Sequence, residues 1–428
     1  MASETARYRY RVYPDADQQA VLAQVFGCVR VVFNDHLRLN GVGVFGPRPK
    51  YVNSNASSAI LITQAKRTPE REWLKDAPFT ALQQAVREAH TAYQNFFDSA
   101  AGKRKGRKAG FPKFRRKHAS VDSFSLMSPD FRLRQTGKRE MMLRLPKALG
   151  EVRLVLSRGL PSAPSSVTII CEPDGRYYAS FVVKRGTRAH APVDRVAAVD
   201  LGLTDLATIV YSDGTREKIP APQHFRRAQF KLARAQKELG RRQKGSANRE
   251  KSRVKVARQY AAVREARADA HHKLAHRLVR DNQTVVFETL SITGLARGPH
   301  AKSVHDAGWG QLIRLTKEKA DRFGRTVVQI GRFEPTSQTC AGCGRRDGPK
   351  PLNVRAWECV GCGARLDRDY NAAVNIMVAS GTAETLNACG GNGRRLSLAT
   401  VAGPSEAGNE VSLTRAVSVV TLAGIPPL

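Results

Sequence analysis

The sequence predicts a multidomain α+β protein, and three observations carry that expectation. At 428 residues the chain is too long for one compact core. Strand-like and helix-like hydrophobic periods alternate in blocks along it, as separate sheets and helical layers require. Four of the seven cysteines crowd into residues 340–362, the mark of a small metal-held module.

Taken in chain order, Arg7–Val12 alternates basic with apolar or aromatic residues, the period of a half-buried strand, and Pro14 stops it. From Asp17 a helical period follows, with Val21, Leu22, Val25, Phe26, Val29 and Phe33 near one face. A second helix from Thr80 spaces Leu82, Val86, Ala89, Tyr93, Phe96 and Phe97 at helical intervals. Both faces read as core. The second helix runs into Lys103–Lys117, where nine of fifteen residues are basic. Gly106, Gly110 and Pro112 break a helix there, and Phe111 and Phe114 interleave with the charge. A charge run is often only a solvated face. Here the aromatics suit base stacking, which favours a nucleic-acid contact through Lys103, Arg104, Lys105, Arg107, Lys108, Lys113, Arg115, Arg116 and Lys117.

Residues 121–190 turn β-like, and Val167–Cys171 and Tyr177–Val183 flank Pro173-Asp174-Gly175, a hairpin signal. Val196–Asp200, Leu206–Tyr211 and a short strand after Ser212-Asp213-Gly214 make three antiparallel strands ahead of helices. That order fits an RNase H-like sheet among other α/β folds. Residues 226–280 are poor in Gly and Pro and carry 18 Lys or Arg against four acids, with a break at Gly245-Ser246 that suggests a helical hairpin. A coiled coil is the alternative, but its seam is mostly Ala; a basic pair lying along phosphates is favoured. Strands at Thr284–Glu288 and Val327–Ile330 bracket a helix near Trp309–Phe323. Residues 380–428, rich in Gly, Ser, Ala and Val and without an aromatic, are expected to form a poorly ordered tail.

Charge narrows the function. Lys plus Arg is 71 against 37 for Asp plus Glu, a net +34 that disfavours an ordinary metabolic enzyme and points to a polyanion, nucleic acid first. A basic membrane-surface protein is the rival. No run of 18 apolar residues occurs and the start has no signal-peptide core, so a cytoplasmic protein with no membrane partner is expected. An odd number of cysteines with one tight foursome looks like a metal site in a reducing compartment.

The sharpest local signal is Cys340-x2-Cys343-x15-Cys359-x2-Cys362. Each pair has the knuckle spacing that turns two thiolates onto one metal, and four thiolates without a further ligand describe one closed structural zinc. Nuclease chemistry needs carboxylates, because paired Mg²⁺ ions take hard oxygen ligands. Asp200 ends the apolar run Val196–Val199, and Glu288 ends Val285–Phe287. An acid abutting a buried strand is costly without a partner or metal, although a turn Asp before Gly202 and a strand-exit Glu are the plain readings. Past the last cysteine, Asp367-Arg368-Asp369 opens a helix, where acids are also favoured by the helix dipole. Three acids at strand, strand and helix, in the order an RNase H sheet supplies them, support one another.

These residues resemble the TnpB family, transposon-encoded RuvC-type nucleases also called OrfB and related to type V CRISPR effectors. The matching pieces are AAVDLGLTDLAT around Asp200, VVFETLSITGL around Glu288, PTSQTCAGCG, and WECVGCGARLDRDYNAAVNI through the second knuckle. YRVYPDADQQAVLAQVFGCVRVVFN and AYQNFFDSAAGKRKGRKAGFPKFRRK match in the N-terminal half, so the resemblance spans roughly residues 7–390. It implies a wedge β-barrel domain (1–13 and 119–190) split around a helical recognition domain (14–118). An RNase H-like (RuvC) nuclease domain would follow at 191–333 and 364–379, with the basic hairpin at 221–280 and an inserted zinc ribbon at 334–363. It implies catalytic, Mg²⁺-binding roles for Asp200, Glu288 and Asp369, with Asp367 the runner-up for third place, and two magnesium ions beside one zinc. The partners implied are a guide RNA from the transposon end and target double-stranded DNA. The expected function is an RNA-guided DNA endonuclease that cuts next to a short flanking motif. Two alternatives stand beside it: a nuclease-inactive guide-directed DNA-binding repressor, and a transposition accessory protein.

Overall fold

The computed structural model describes residues 3–41, 51–117, 121–351 and 353–382, so the expected tail lies outside the described residues from 383 onward. Strand β1 (Ser3–Tyr13) buries Tyr8, Tyr10 and Val12 and turns the intervening arginines outward, as its period-2 pattern requires. Asp15 then caps helix α1 (Ala16–Leu39) in a reciprocal capping box with Gln18. By length and composition α1 is apolar enough to cross a membrane, but half of its most apolar stretch is buried inside the protein, where Leu22, Val25, Phe26 and Val29 join the core. The short α2 (Ser54–Ser58) and irregular helical turns lead to α3 (Phe79–Ala100), which packs on α1 through Leu82, Val86, Ala89 and Tyr93.

Six strands follow: β2 (Asp122–Met127), β3 (Arg132–Gln135), β4 (Glu140–Leu145), β5 (Gly150–Val155), β6 (Ser166–Cys171) and β7 (Tyr177–Gly186). With β1 they form one antiparallel sheet in the order β2-β6-β7-β1-β5-β4-β3, so the N-terminal strand sits at its centre. A flat sheet of seven strands would hold its edges about 29 Å apart. Met127 on one edge strand and Arg132 at the start of the other are five peptide steps apart in the sequence, at most about 19 Å. The sheet must therefore curl until its edges approach at that corner. Among the described residues no ladder joins β2 to β3, so the expected barrel is hydrogen-bonded as an open, curled sheet.

The second half is built on β8 (Val196–Asp200), β9 (Asp205–Tyr211), β10 (Arg216–Pro220), β11 (Thr284–Phe287) and β12 (Thr326–Gln329), in the order β10-β9-β8-β11-β12. The first three pair antiparallel as their tight turns demand; β11 and β12 add in parallel through helical crossovers. The crossovers carry α4 (His224–Arg241) and α5 (Ala247–Asp281), then α6 (Ile292–Leu295), α7 (Ala301–Ala307) and α8 (Trp309–Phe323). Alternate strand residues separate the two faces. Ala197, Val199, Val285 and Phe287 meet Leu274 and Leu278 of α5 and Leu312 of α8, whereas Ala198, Val210 and Val286 meet Ala373, Ile376 and Met377 of α9 (Arg368–Ala379). Between β12 and α9 lies the cysteine module, with its hairpin β13 (Ala356–Glu358) and β14 (Arg365–Asp367).

The basic pair α4–α5 is a helical hairpin as its Gly-Ser break suggests, joined by Gln236 donating to Tyr260 at 2.9 Å. Part of its charge is consumed inside the molecule. Arg264 pairs with buried Glu172, and Arg253 and Arg258 donate to the carbonyls of Pro173 and Asp174 in the β6–β7 turn. That hairpin turn plugs against α5 and ties the two sheets together.

Candidate active site and metal centre

Register alone brings the first two acids together. Parallel pairing sets Phe287 opposite Val199, so the next residues, Glu288 and Asp200, leave the same end of the sheet side by side. They share parity with Ala198 and Val286, and so project from the face that α9 covers. Asp369, in the first turn of α9, lines the same cleft of about 630 Å³ as Asp200 and Glu288. The carboxyls of Asp200 and Glu288 hydrogen-bond to one another, and the Leu201 backbone N–H also donates to Glu288. Burial raises the pKa of Asp200 well above the usual carboxylate range, with the negative charges of Glu288 and Asp369 adding to it. Burial also raises Glu288, against the opposing pull of its hydrogen bonds. Together Asp200, Glu288 and Asp369 form an all-oxygen donor set suited to a hard divalent cation.

Asp367 has a different task. Its Oδ1 accepts from the backbone N–H groups of Asp369 and Tyr370, both at 3.0 Å, which caps α9, and its Oδ2 pairs with Lys218 at 2.8 Å. These interactions lower its pKa below the usual range against a raising contribution from burial. The same lysine lies 3.6 Å from Asp369, whose other oxygen is 3.6 Å from Arg355. The cap fixes the phase of α9 and sends Asp369, rather than Asp367, into the cleft.

The four cysteine sulfurs lie within 4.8 Å of one another, with Cys340 to Cys362 and Cys343 to Cys359 both at 3.7 Å. A tetrahedron around an ion with metal–sulfur bonds of about 2.3 Å has edges of about 3.8 Å, so the spacing fits a four-thiolate centre. Backbone bonds from Gly344 to the Cys340 carbonyl and from Gly363 to the Cys359 carbonyl, both 2.8 Å, close the two knuckles. Those glycines take φ of +73° and +70°, which a side chain would strain. The backbone N–H of Gly361 donates to the Cys359 sulfur and leads in lowering its pKa to about 7, which favours the thiolate a metal needs.

Several residues of the site escaped sequence reasoning. Asn371 Oδ1 accepts from the Ala341 N–H at 2.8 Å while its Nδ2 donates to the Thr339 carbonyl at 2.8 Å; Asn375, one turn on, donates to the Thr336 and Thr339 carbonyls. Two asparagines four apart thus staple the first knuckle to the helix that carries Asp369; that spacing was their sequence signal. Buried Asp306 accepts from the backbone N–H groups of Phe225 and Arg226 at 2.8 and 3.1 Å, capping α4, whose own N-cap Gln223 supplies no bond. Arg226, Arg355 and Arg368 also line the cleft and give it positive charge beside the acids.

The basic segment 103–117 has no regular structure, and its cations are exposed with one exception. Arg115 stacks on Phe33 at 3.7 Å, pairs with Glu88 at 2.8 Å, and its backbone exchanges hydrogen bonds with the Asn34 side chain. It pins the segment to α1 and α3 rather than presenting it. Phe111 likewise packs edge-on against Phe96 and Tyr93, although it keeps 46% of its surface exposed.

Known proteins resemble this chain over most of its length. The family OrfB_IS605, described as "Probable transposase", matches residues 180–298; a "Cas12f1-like, TNB domain" matches 309–376, which holds the cysteine module. A "Helix-turn-helix domain" of the same family matches residues 1–41, where the described residues form one strand and one long helix. A "Putative RNA-guided DNA endonuclease" of Streptomyces pristinaespiralis is 37% identical over 389 residues, covering 90% of this chain and 90% of that protein. The "Putative RNA-guided DNA endonuclease InsQ" of Escherichia coli (strain K12) is 29% identical over 403 residues, covering 90% and 93%. Among solved structures, a Cas12f1–sgRNA–target DNA complex aligns over 88% of this chain and 98% of that one, with a TM-score of 0.49 and 12% identity. With the acids and knuckles in place and 37% identity to a relative over nine-tenths of both chains, the chain belongs to the TnpB family, also called OrfB_IS605.

Proposed function

We propose that this chain is a transposon-encoded RNA-guided DNA endonuclease that cuts guide-matched target DNA next to a short flanking motif. The observation that carries the reading is the convergence of Asp200, Glu288 and Asp369, from two strand ends and one helix start, on a single cleft. Relatives that carry this activity in their names and align over nine-tenths of the chain support it. The strand order β10-β9-β8-β11-β12, with helices on both faces, supports an RNase H-like (RuvC) nuclease domain at 191–333 and 364–379. The curled sheet is the wedge domain at 1–13 and 119–190, the helices of 14–118 the recognition domain, and 334–363 the zinc ribbon.

The donor chemistry sorts the metals. Four sulfurs at tetrahedral spacing fit one structural Zn²⁺, and three carboxylates on one cleft, with burial opposing the charge of Asp200 and Glu288, fit Mg²⁺. Bound Mg²⁺, two ions in this reading, would supply an activated water and neutralise the leaving oxygen. Asp200, Glu288 and Asp369 would hold it, and the cleft arginines would draw the target phosphate inward. Exposed cations of 103–117 grip the guide RNA backbone, while base pairing reads the target. The protein would act in the cytoplasm, on nucleoid DNA.

Sequencing the RNA that copurifies with the protein, followed by cleavage of a duplex matched to it in Mg²⁺, tests the reading. Asp200→Ala should lower cutting by about a thousandfold or more while RNA and target binding persist. A discrete RNA without any cutting by the wild type would favour the repressor alternative, and the lack of a discrete RNA the accessory one.

A further inference from the structure

Two phenylalanines stand almost wholly in solvent: Phe333 is 89% exposed and Phe230 is 80% exposed, ahead of every other exposed large hydrophobic among the described residues. Each stands a few residues along the chain from one that lines the acid cleft, Phe230 from Arg226 and Phe333 from Thr336. Phe230 is one helical turn from cleft-lining Arg226 on α4, so their Cβ atoms are about 6 Å apart on one side of the helix. This stretch of α4 is held to α7, because Arg226 donates to Ser303 Oγ at 2.8 Å and Lys302 donates to Gln229.

Phe333 sits at the tip of the turn after β12. Ile330 before it donates to the Phe287 carbonyl at 3.0 Å, immediately beside Glu288, and Thr336 after it lines the cleft. The Arg332 guanidinium lies 5.4 Å from the Phe333 ring, and Arg227, Lys231 and Arg234 surround Phe230 in the sequence. An exposed aromatic ring flanked by cations beside a carboxylate cleft has little use in packing. It suits a chain that alternates flat apolar faces with phosphates.

We infer that Phe230 and Phe333 form a stacking platform for unpaired bases of a DNA strand on its way to the acids. The inference rests on the nuclease reading above and adds to it which residues seat the strand. Duplex bases hide their faces in the stack, so the platform is specific for a single strand. Stacking removes no counterion, so its contribution should not depend on salt as the cationic contacts do.

The test uses the full chain with its copurified RNA and fluorescence anisotropy of a labelled single-stranded DNA across a salt series. Phe230→Ala and Phe333→Ala should each weaken binding about tenfold, with the log–log salt slope unchanged. Phe230→Trp and Phe333→Trp should bind like wild type, and each added indole should be quenched by the DNA over the wild-type background. Trp variants that retain affinity also exclude misfolding as the cause of the alanine losses. Alanine variants that bind like wild type at every salt, or added indoles that stay unquenched, overturn the platform even where the wild type cuts guided duplex. A loss confined to a single-stranded RNA probe, with DNA affinity intact, overturns it as well. Failure of the nuclease reading shows elsewhere, as wild-type protein that holds RNA and never cuts.

Discussion

Asp200 is the residue on which most of the site's electrostatic cost falls, since burial and two neighbouring carboxylates all oppose its charge. A group whose folded pKa lies above its unfolded one stabilises the fold below the unfolded value and loses that contribution as pH rises through the folded one. Metal-free wild type should therefore lose stability relative to Asp200→Asn as pH climbs above the ordinary carboxylate range. At neutral pH the variant should be more stable by about 1–2 kcal/mol, read from thermal melts in chelator. A Mg²⁺ ion held as proposed would compete with protonation of Asp200, so added Mg²⁺ should raise the melting temperature of wild type increasingly with pH and leave the variant unmoved. Asp367 and Asp369 separate by role. Asp367→Ala removes a helix cap and should cost about 1 kcal/mol of stability with a mild loss of cutting. Asp369→Ala should abolish cutting with little change in melting. The reverse pattern would exchange their assignments.

At the scale of elements, the cysteine module and α9 act as one body. β14 ends at the residue that caps α9, and Asn371 and Asn375 hold the first knuckle against that helix. Cys359→Ser should release zinc, measured by metal analysis, and lower cutting indirectly, because the helix bearing Asp369 loses its buttress. Asn371→Ala separates metal loss from buttress loss. It leaves the Ala341 N–H and the Thr339 carbonyl without this partner, at about 1–3 kcal/mol. Its zinc content should remain stoichiometric while stability and cutting fall. Zinc loss equal to that of Cys359→Ser would show that the asparagine serves the metal centre itself.

For the whole molecule the governing quantity is the +34 charge and where it is spent. Arg115, Arg253, Arg258 and Arg264 are engaged within the fold, whereas the other cations of 103–117 are exposed. RNA affinity should fall steeply with salt, with a log–log slope of about −0.7 to −0.9 per phosphate contacted. Replacing Lys103, Arg104, Lys105, Arg107 and Lys108 with Ala should flatten that slope by several contacts without changing the melting temperature. Arg115→Ala should do the opposite, destabilising the protein while leaving the slope nearly intact. A wild-type slope near zero would make these runs solvated faces.

Local pattern determined much of this protein. The apolar runs that end at Asp200 and Glu288, the four-cysteine spacing, the two core helices and the basic hairpin are legible because periodicity, charge and knuckle spacing are written over a few residues. The meeting of the acids was not written locally: it follows from the parallel pairing of β8 with β11, which sets their strand ends side by side. Tertiary structure alone decided the rest. Nothing near Ser3–Tyr13 says that it pairs with strands some 140 or more residues away at the centre of a sheet. The cap of α4 comes from Asp306, 80 residues distant, and has no local trace. Which arginines are consumed and which stay open depends on the carboxylates and carbonyls that folding brings beside them. Long-range pairing is chosen by packing and by the satisfaction of buried polar groups across the whole fold, and a single stretch of sequence carries only one side of each such contact.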